Sequence, residues 1–266
     1  MLRDITLGQY YPGESWVHRL DARVKIIATL VFIVALFIVD NFYGFLISLA
    51  ALAIVIGVSK VPLRFILRGL KPVFIIIAFT FILNLFMVPG DVLWSLGFLH
   101  ITKQGLRTAV FLGIRLIFLI IGSSMLTLTT RPIQLTDGIE KLLGPLKKIG
   151  VPAHELAMMM TIALRFIPTL MEETDKIMKA QQARGADFES GNLLNRVKAL
   201  IPILVPLFIS AFRIATDLAM AMEARCYRGD QGRTRMNAMK LQKKDLAAAV
   251  GIIIYLAATI VEAVLI

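Results

Sequence analysis

The sequence predicts an all-α, polytopic membrane protein, and three observations support this fold class. Hydrophobic residues make up 58% of the 266 residues, and the mean hydropathy of +0.77 is high for a soluble domain. A core of this size cannot bury so many apolar side chains, so lipid is expected to cover part of them. Apolar runs close to the length of a membrane-spanning helix recur along the chain. The basic residues are unevenly spread, since 18 of the 29 Lys and Arg residues lie between positions 131 and 244.

About five apolar runs are predicted to cross the membrane as helices. A break at Asp40-Asn41 separates the first two, and a basic segment at residues 59–71 precedes the third. A turn-rich loop is expected after the third run, beginning at Pro89-Gly90-Asp91. The five predicted spans are residues 24–39, 42–58, 72–88, 105–128 and 246–266.

The pattern changes between residues 129 and 245, where charged residues interrupt the apolar stretches at helical spacing. An amphipathic segment at residues 133–149 is broken at Gly144-Pro145. Two long helices are predicted to follow, at residues 154–184 and 195–225. Internal prolines are expected to kink both of them, and these are Pro168, Pro202 and Pro206.

The chain is therefore expected to have three parts. Residues 1–128 form an N-terminal cytoplasmic segment plus four transmembrane helices, residues 129–245 form a cytoplasmic helical region, and residues 246–266 form a C-terminal transmembrane helix. Lys and Arg concentrate on the cytoplasmic side of membrane proteins, which places the N-terminus and the large basic region in the cytoplasm. The same rule explains the net charge of +11 without a nucleic-acid partner. No cleavable signal peptide is evident.

The sequence contains no motif of a catalytic, cofactor or metal site. It has no G-x-x-x-x-G-K-[ST] motif, so the chain is not expected to bind ATP through a P-loop. His154-Glu155 resembles the start of a zinc-protease motif, but Met158 occupies the position of the second histidine. The single cysteine, Cys226, excludes an internal disulfide and a multi-cysteine metal site. We therefore expect a non-catalytic protein with no cofactor and no metal.

A short motif occurs at the end of each long predicted helix. Ala183-Arg184-Gly185 ends the first, and Ala224-Arg225-Cys226 ends the second, 41 residues later. Taken singly, each arginine is explained by its favourable interaction with the helix dipole, worth about 0.3–1 kcal/mol. Taken as a pair, the two motifs indicate docking on two similar partners, because a small residue beside an arginine lets the helix tip enter an acidic groove.

With these motifs the chain resembles the transmembrane T component of energy-coupling factor (ECF) transporters. The runs at residues 8–15 and 18–25 are similar to the N-terminal sequence of that family, and Cys226 departs from the family's glycine. The resemblance implies a scaffold in a bacterial cell membrane that joins two ABC-type ATPase subunits to a substrate-capturing S component for vitamin or micronutrient uptake. The region at residues 129–245 then corresponds to the coupling helices.

An apolar set on the two long helices has two interpretations. It could form a cytoplasm-facing platform for the S component, since methionine-rich surfaces adapt to several partners. Alternatively, these residues pack the two helices against each other. The set comprises Met158, Met159, Met160, Leu164, Leu204, Leu207 and Phe208.

Three other functions compete with a coupling subunit. The nearest alternative is the permease subunit of a conventional ABC importer, which usually has one coupling region in each chain. An intramembrane enzyme is disfavoured by the missing catalytic residues. A stand-alone secondary transporter is disfavoured because paired broken helices with internal symmetry are not evident. Arg115, near the middle of the fourth span, is expected either to pair with Glu262 or to be satisfied locally.

Overall fold

The computed structural model describes residues 10–96, 99–186, 188, 193–229 and 241–265. This part of the chain is almost entirely helical, which confirms the predicted all-α class. The helices are α1 (Ala22–Ile38), α2 (Phe42–Ser59), α3 (Leu63–Leu70), α4 (Phe74–Met87), α5 (Lys103–Thr129), α6 (Pro132–Leu143), α7 (Ala153–Ala183), α8 (Leu193–Ala224) and α9 (Lys243–Leu265). A short 3-10 helix (Gly144–Ile149) follows α6, at the predicted break, and two strands, β1 (Val92–Leu96) and β2 (Leu99–Thr102), lie between α4 and α5.

Four helical segments in the described residues are long and apolar enough to cross a membrane, so the chain is a multi-pass membrane protein. They are α2, α5, α9 and the part of α8 from Leu200 to Ala224; α3 and α4 count as a fifth if this pair, bent by 56°, is one span. The first predicted span corresponds to α1, whose 17 residues are one fewer than those of α2. The sequence analysis assigned α8 to the cytoplasmic region. Its length and composition, however, do not distinguish it from the membrane-spanning helices.

A β-hairpin replaces the turn-rich loop expected after α4. β1 and β2 pair antiparallel, with Val92 opposite Thr102. The hydroxyl of Thr102 donates to the carbonyl of Val88 at 2.8 Å and accepts from the amide of Gly105 at 3.0 Å. Thr102 is thus the N-cap of α5, and the hairpin joins α4 to α5, which pack against each other.

The chain divides into two compact units. The bundle unit contains the described residues between 10 and 138 together with 241–265, and the arm unit contains those between 139 and 229. The division falls inside α6, between Gly138 and Ile139. A Cβ atom added to Gly138 would lie 3.1 Å from the Cβ of Ala22 in α1, so a larger residue here would require a small shift of its neighbours.

Four helices of the bundle unit form a ring, in which α1 and α2 each pack against both α5 and α9. Buried apolar side chains from α1, α2 and α5 fill one part of this ring, and an aromatic group centred on Phe45, Phe111 and Phe118 stabilises it through edge-to-face contacts. Gly122 of α5 lies directly against the ring of Phe32, where a Cβ atom would be 2.6 Å from the nearest ring carbon.

Polar groups are concentrated at one end of the bundle, where α1 and α9 begin and α2 and α5 end; we call this the proximal end. The side chain of Asp21 caps α1 and accepts two hydrogen bonds from the guanidinium of Arg23. The amide of Asp21 donates to the carboxylate of Asp245 at 2.8 Å, which ties α1 to α9. Lys25 is buried and donates to the carbonyls of Thr129 and His18.

The segment before α1 packs against the end of α5. The amide of Tyr11 donates to the carbonyl of Leu128 at 2.9 Å. His18 bridges this segment, with Nδ1 2.7 Å from the hydroxyl of Ser15 and Nε2 3.1 Å from the carbonyl of Tyr11. Burial lowers the pKa of His18 below its ordinary value of 6.5, so the neutral imidazole is the form that fits here.

The guanidinium of Arg115 has its contacts at the opposite end of α1, although its buried Nε has no hydrogen-bond partner among the described residues. Its guanidinium donates to the carbonyl of Val39, lies 3.6 Å from the carboxylate of Asp40 and covers the ring of Phe37. Within the described residues it forms no ion pair with Glu262, whose two buried carboxylate oxygens have no hydrogen-bond partner there. The local alternative for Arg115 is therefore the observed one.

Candidate docking site

The first motif closes α7 in a Schellman arrangement. Arg184 is the C-cap residue, and Gly185 follows with φ +91°, in the left-handed region. The amide of Gly185 donates to the carbonyl of Gln182 at 2.9 Å, and the amide of Ala186 donates to the carbonyl of Gln181 at 3.0 Å. These bonds satisfy the last carbonyls of the helix and leave the arginine side chain free to project.

The second motif closes α8 with the same hydrogen bonds. The amide of Cys226 donates to the carbonyl of Glu223 at 2.9 Å, and the amide of Tyr227 donates to the carbonyl of Met222 at 3.0 Å. Cys226 has φ +54°, so it adopts the left-handed conformation that Gly185 adopts in the first motif. The departure from glycine therefore leaves the backbone geometry of the cap intact, at the steric cost of a Cβ atom.

The tips of both long helices, formed by the two motifs, are exposed. Arg184 and Arg225 are accessible, as are the small residues Ala183 and Ala224 beside them. Within the part of the chain that the structure describes, neither guanidinium has a carboxylate partner. Among the described residues, each tip thus presents a positive charge without an ion-pair partner next to a small side chain.

The two tips lie at opposite ends of an antiparallel helix pair. The side chain of Gln181, near the end of α7, donates to the carbonyl of Pro202 in the first half of α8. At the other end, the hydroxyl of Tyr227 donates to the sulfur of Met158, near the start of α7, at 3.3 Å. Met158 and Gln181 are 23 positions apart along α7, so the two contacts are separated by about 35 Å at 1.5 Å per residue.

The structure separates the apolar set into an inner and an outer group. Met158, Leu164 and Leu207 are half-buried. The outer group, which is exposed, comprises Met159, Met160, Leu204 and Phe208. Ile203 of α8 is buried, so this neighbour of Leu204 is the residue that packs inward.

The exposed apolar surface of α8 is wider than the sequence analysis indicated. Further exposed residues extend it at helical spacing on both sides of Leu204 and Phe208. The sequence signal for this wider surface is the repeated i, i+4, i+8 spacing of apolar residues along α8. These additional residues are Leu200, Ile201, Val205, Ile209 and Phe212.

The described residues contain no group of three or more side chains suited to hold a metal ion. His154 belongs to the partial zinc-protease motif noted in the sequence. Its Nδ1 lies 3.1 Å from a carboxylate oxygen of Glu140. Both residues belong to the arm unit, where this contact links α7 to α6.

Comparison with known proteins covers both tips. The profile of the family described as "CbiQ: Cobalt transport protein" matches residues 13–236. A protein of Clostridium kluyveri named "Energy-coupling factor transporter transmembrane protein EcfT" is 61% identical over 251 residues, or 94% of this chain and 93% of the relative. Proteins of the same name from Thermosediminibacter oceani and Bacillus subtilis are 60% and 48% identical, covering 93% and 96% of both chains. The chain therefore belongs to the CbiQ family and, within it, to the transmembrane components of energy-coupling factor transporters.

Proposed function

We propose that this chain is the non-catalytic scaffold that couples two ABC-type ATPase subunits to a membrane-embedded S component during vitamin or micronutrient uptake. The observation that supports this most strongly is the pair of equivalent arginine tips at opposite ends of one antiparallel helix pair. The arm unit, with its basic residues, faces the cytoplasm in this proposal, as the distribution of Lys and Arg indicates.

The geometry of the tips suits two homologous partners. An antiparallel pair of similar helices has approximate two-fold symmetry, and two similar subunits related by a two-fold axis offer the same groove to each end. Arg184 and Arg225 each insert into an acidic groove on one ATPase subunit, where the planar guanidinium binds a carboxylate through two hydrogen bonds. Movement of the ATPase subunits then moves the two ends of the helix pair.

The exposed side of the apolar set supports the second part of the proposal. Met159, Leu204 and Phe208 leave large apolar surfaces uncovered in the isolated arm unit. Large exposed apolar patches mark protein or membrane interaction sites. We assign this surface to the S component, and flexible methionine side chains suit a surface that serves different S components.

The test is co-purification of the ATPase subunits with an Arg184→Ala, Arg225→Ala double variant. Removing one member of a buried charge pair at an interface costs about 2–5 kcal/mol, so losing both should abolish stable ATPase binding and uptake. The matched control is Arg165→Ala, Arg213→Ala, which removes one exposed arginine from each of the same helices away from the tips. Normal ATPase recovery and substrate uptake by the tip variant would contradict the proposal.

The same preparation distinguishes the conventional ABC permease. We expect one copy of this chain for every two ATPase subunits, because both tips belong to one chain. A complex with two copies of this chain and two ATPase subunits would favour the permease alternative. Native mass spectrometry of the purified complex counts the chains directly.

A further inference from the structure

The bundle unit contains a partly open cavity of about 570 Å³ in the half of the four-helix ring next to the proximal end. Residues from all four helices line it, including Phe32, Leu52, Gly122, Met125, Gly251 and Tyr255. The sequence analysis did not predict this space, and the coupling function proposed above does not use it.

Small residues create the cavity. Gly251, together with several alanines of α1, α2 and α9, lines its wall, and Gly122 accommodates the ring of the lining residue Phe32. A Cβ atom added to Gly251 would meet no other atom within 4 Å, so the space in front of this glycine is open. Packed protein interiors rarely leave voids of this size empty, and this one is large enough to hold a ligand.

The chemistry of the wall selects an apolar occupant. The hydroxyls of Thr29 and Thr129 already donate to backbone carbonyls of their own helices, at 2.9 and 2.7 Å. The hydroxyl of Tyr255 lies 3.0 Å from that of Ser48. The remaining wall is almost entirely aliphatic and aromatic, so it offers too few free polar groups to hold ordered water.

The cavity is open toward the surrounding bilayer. Two of its lining residues, Ile54 of α2 and Ile254 of α9, are 65% and 63% exposed. Both lie on helices that are long and apolar enough to span the membrane, so we expect lipid to border this exposed side of the cavity. An acyl chain therefore reaches the cavity without crossing water.

Basic residues stand at the proximal end of the cavity. Lys25 lines it, but its ammonium uses two of its three N–H groups on the carbonyls of Thr129 and His18 and interacts with the carboxylates of Asp21 and Asp245. Lys244, in the first turn of α9, lies one turn before the lining residues Ala247 and Ala248, on the same side of the helix. A ligand with an apolar tail and a negatively charged head matches this arrangement.

Size excludes the main alternative occupant. An α-helix with its side chains is about 10–12 Å across, so a volume near 570 Å³ accommodates only about one turn of a partner helix. A single flexible hydrocarbon chain enters such a space without displacing the four helices. We therefore expect a lipid tail rather than a protein segment as the occupant.

We propose that this cavity is a binding site for one acyl chain of an anionic glycerophospholipid, whose phosphate lies near Lys244. The bound chain completes the packing of the ring formed by α1, α2, α5 and α9. This inference stands apart from the docking of ATPase subunits, because no residue of the arm unit takes part in it.

The experiment fills the cavity and measures lipid retention. The full chain, expressed with its complex and purified from membranes in mild detergent, is analysed by native mass spectrometry beside Gly251→Phe and Gly251→Leu variants. The matched control is Gly57→Phe in α2, since a Cβ atom at Gly57 also meets nothing within 4 Å but Gly57 does not line the cavity. Circular dichroism verifies that each variant is folded.

We expect the natural chain and Gly57→Phe to retain one phospholipid, enriched in phosphatidylglycerol over phosphatidylethanolamine, and both Gly251 variants to lose it. A Lys244→Gln variant should retain lipid but lose the preference for the anionic headgroup. Equal retention by the folded Gly251 variants, or no bound lipid on the natural chain, would overturn the proposal. A partner peptide cross-linked inside the cavity in place of lipid would overturn it as well.

Discussion

The bundle unit and the arm unit differ in how many of their side chains are buried. In the described part of the bundle unit, apolar residues such as Phe45 are buried, and so are polar groups such as Asp21, Lys25 and Asp245. In the described side chains of the arm unit, only Ala153, Ala157 and Ile203 are buried. The bundle unit thus has a buried core with a buried polar cluster, together with apolar side chains such as Leu46 and Ile75 that are exposed toward the bilayer. The described part of the arm unit buries few side chains, so its apolar and basic groups are accessible to other molecules.

The largest expected contrast is between two phenylalanines. Phe45 of the bundle unit is 4% exposed, and Phe208 of the arm unit is 59% exposed. Phe45→Ala should lower the free energy of unfolding by about 3–5 kcal/mol, because it leaves a cavity in packed surroundings. Phe208→Ala should change it by less than about 0.5 kcal/mol and instead weaken binding of the S component.

Thermal unfolding of the two variants in detergent, with S-component recovery measured alongside, tests this contrast. If Phe208→Ala unfolded as readily as Phe45→Ala, the apolar surface of α8 would be a structural element of the arm unit rather than a platform.

A second contrast concerns two aspartates. Asp245 accepts from the amides of Asp21 and Gln242 at the proximal end, whereas Asp217 is exposed on α8. Asp245→Ala leaves a buried amide without its acceptor and removes the cap of α9, so it should cost about 2 kcal/mol. Asp217→Ala should leave the unfolding temperature nearly unchanged. Equal effects in a thermal scan would contradict the idea that the contact between Asp21 and Asp245 stabilises the bundle unit.

The stability of the segment before α1, in the bundle unit, should depend on pH. His18 has a lowered pKa because burial disfavours its charged form, so protonation favours the unfolded state. The contribution of its contacts with Ser15 and Tyr11 is fully present above pH 6.5 and decreases as the pH falls below that value. Limited proteolysis of the segment before α1, from pH 7.5 to 5.5, should show increasing cleavage. A His18→Gln variant should show a flat profile, and an unchanged dependence would show that another group controls this segment.

The smallest effects are expected at the two helix caps. Gly185→Ala introduces a Cβ atom at φ +91°, which should destabilise the end of α7 by about 1 kcal/mol. Cys226→Gly removes one at φ +54° and should stabilise the end of α8 by a similar or smaller amount. Hydrogen exchange of the amides near each cap measures both changes. Opposite signs are the prediction, and two changes in the same direction would contradict the equivalence of the caps.

The sequence was sufficient for the elements that depend on local signals. The C-terminal ends of α7 and α8 each fall one residue before the predicted end, because polar, helix-breaking segments follow from Ala186 and from Tyr227. The break after α6 was likewise predicted from Gly144-Pro145. Long helices with clear terminal residues are determined largely by their own sequence.

Features that depend on distant contacts could not be predicted. The β1–β2 hairpin was expected to be a loop, because strand pairing between Val92 and Thr102 depends on the register of two short segments. The bond from Asp21 to Asp245 joins residues 224 positions apart, and no local pattern indicates such a contact. The opposite placement of the two arginine tips also depends on how α7 and α8 pack.

The most direct test of the coupling account uses the only cysteine of the chain. Cys226 lies exposed at the second tip, and a Gly185→Cys, Cys226→Gly variant moves the thiol to the equivalent left-handed position at the first tip. A photoactivated cross-linker attached to the thiol in membranes should join the natural chain to one ATPase subunit and the variant to the other. Cross-links confined to this chain or to lipid at either position would contradict the account.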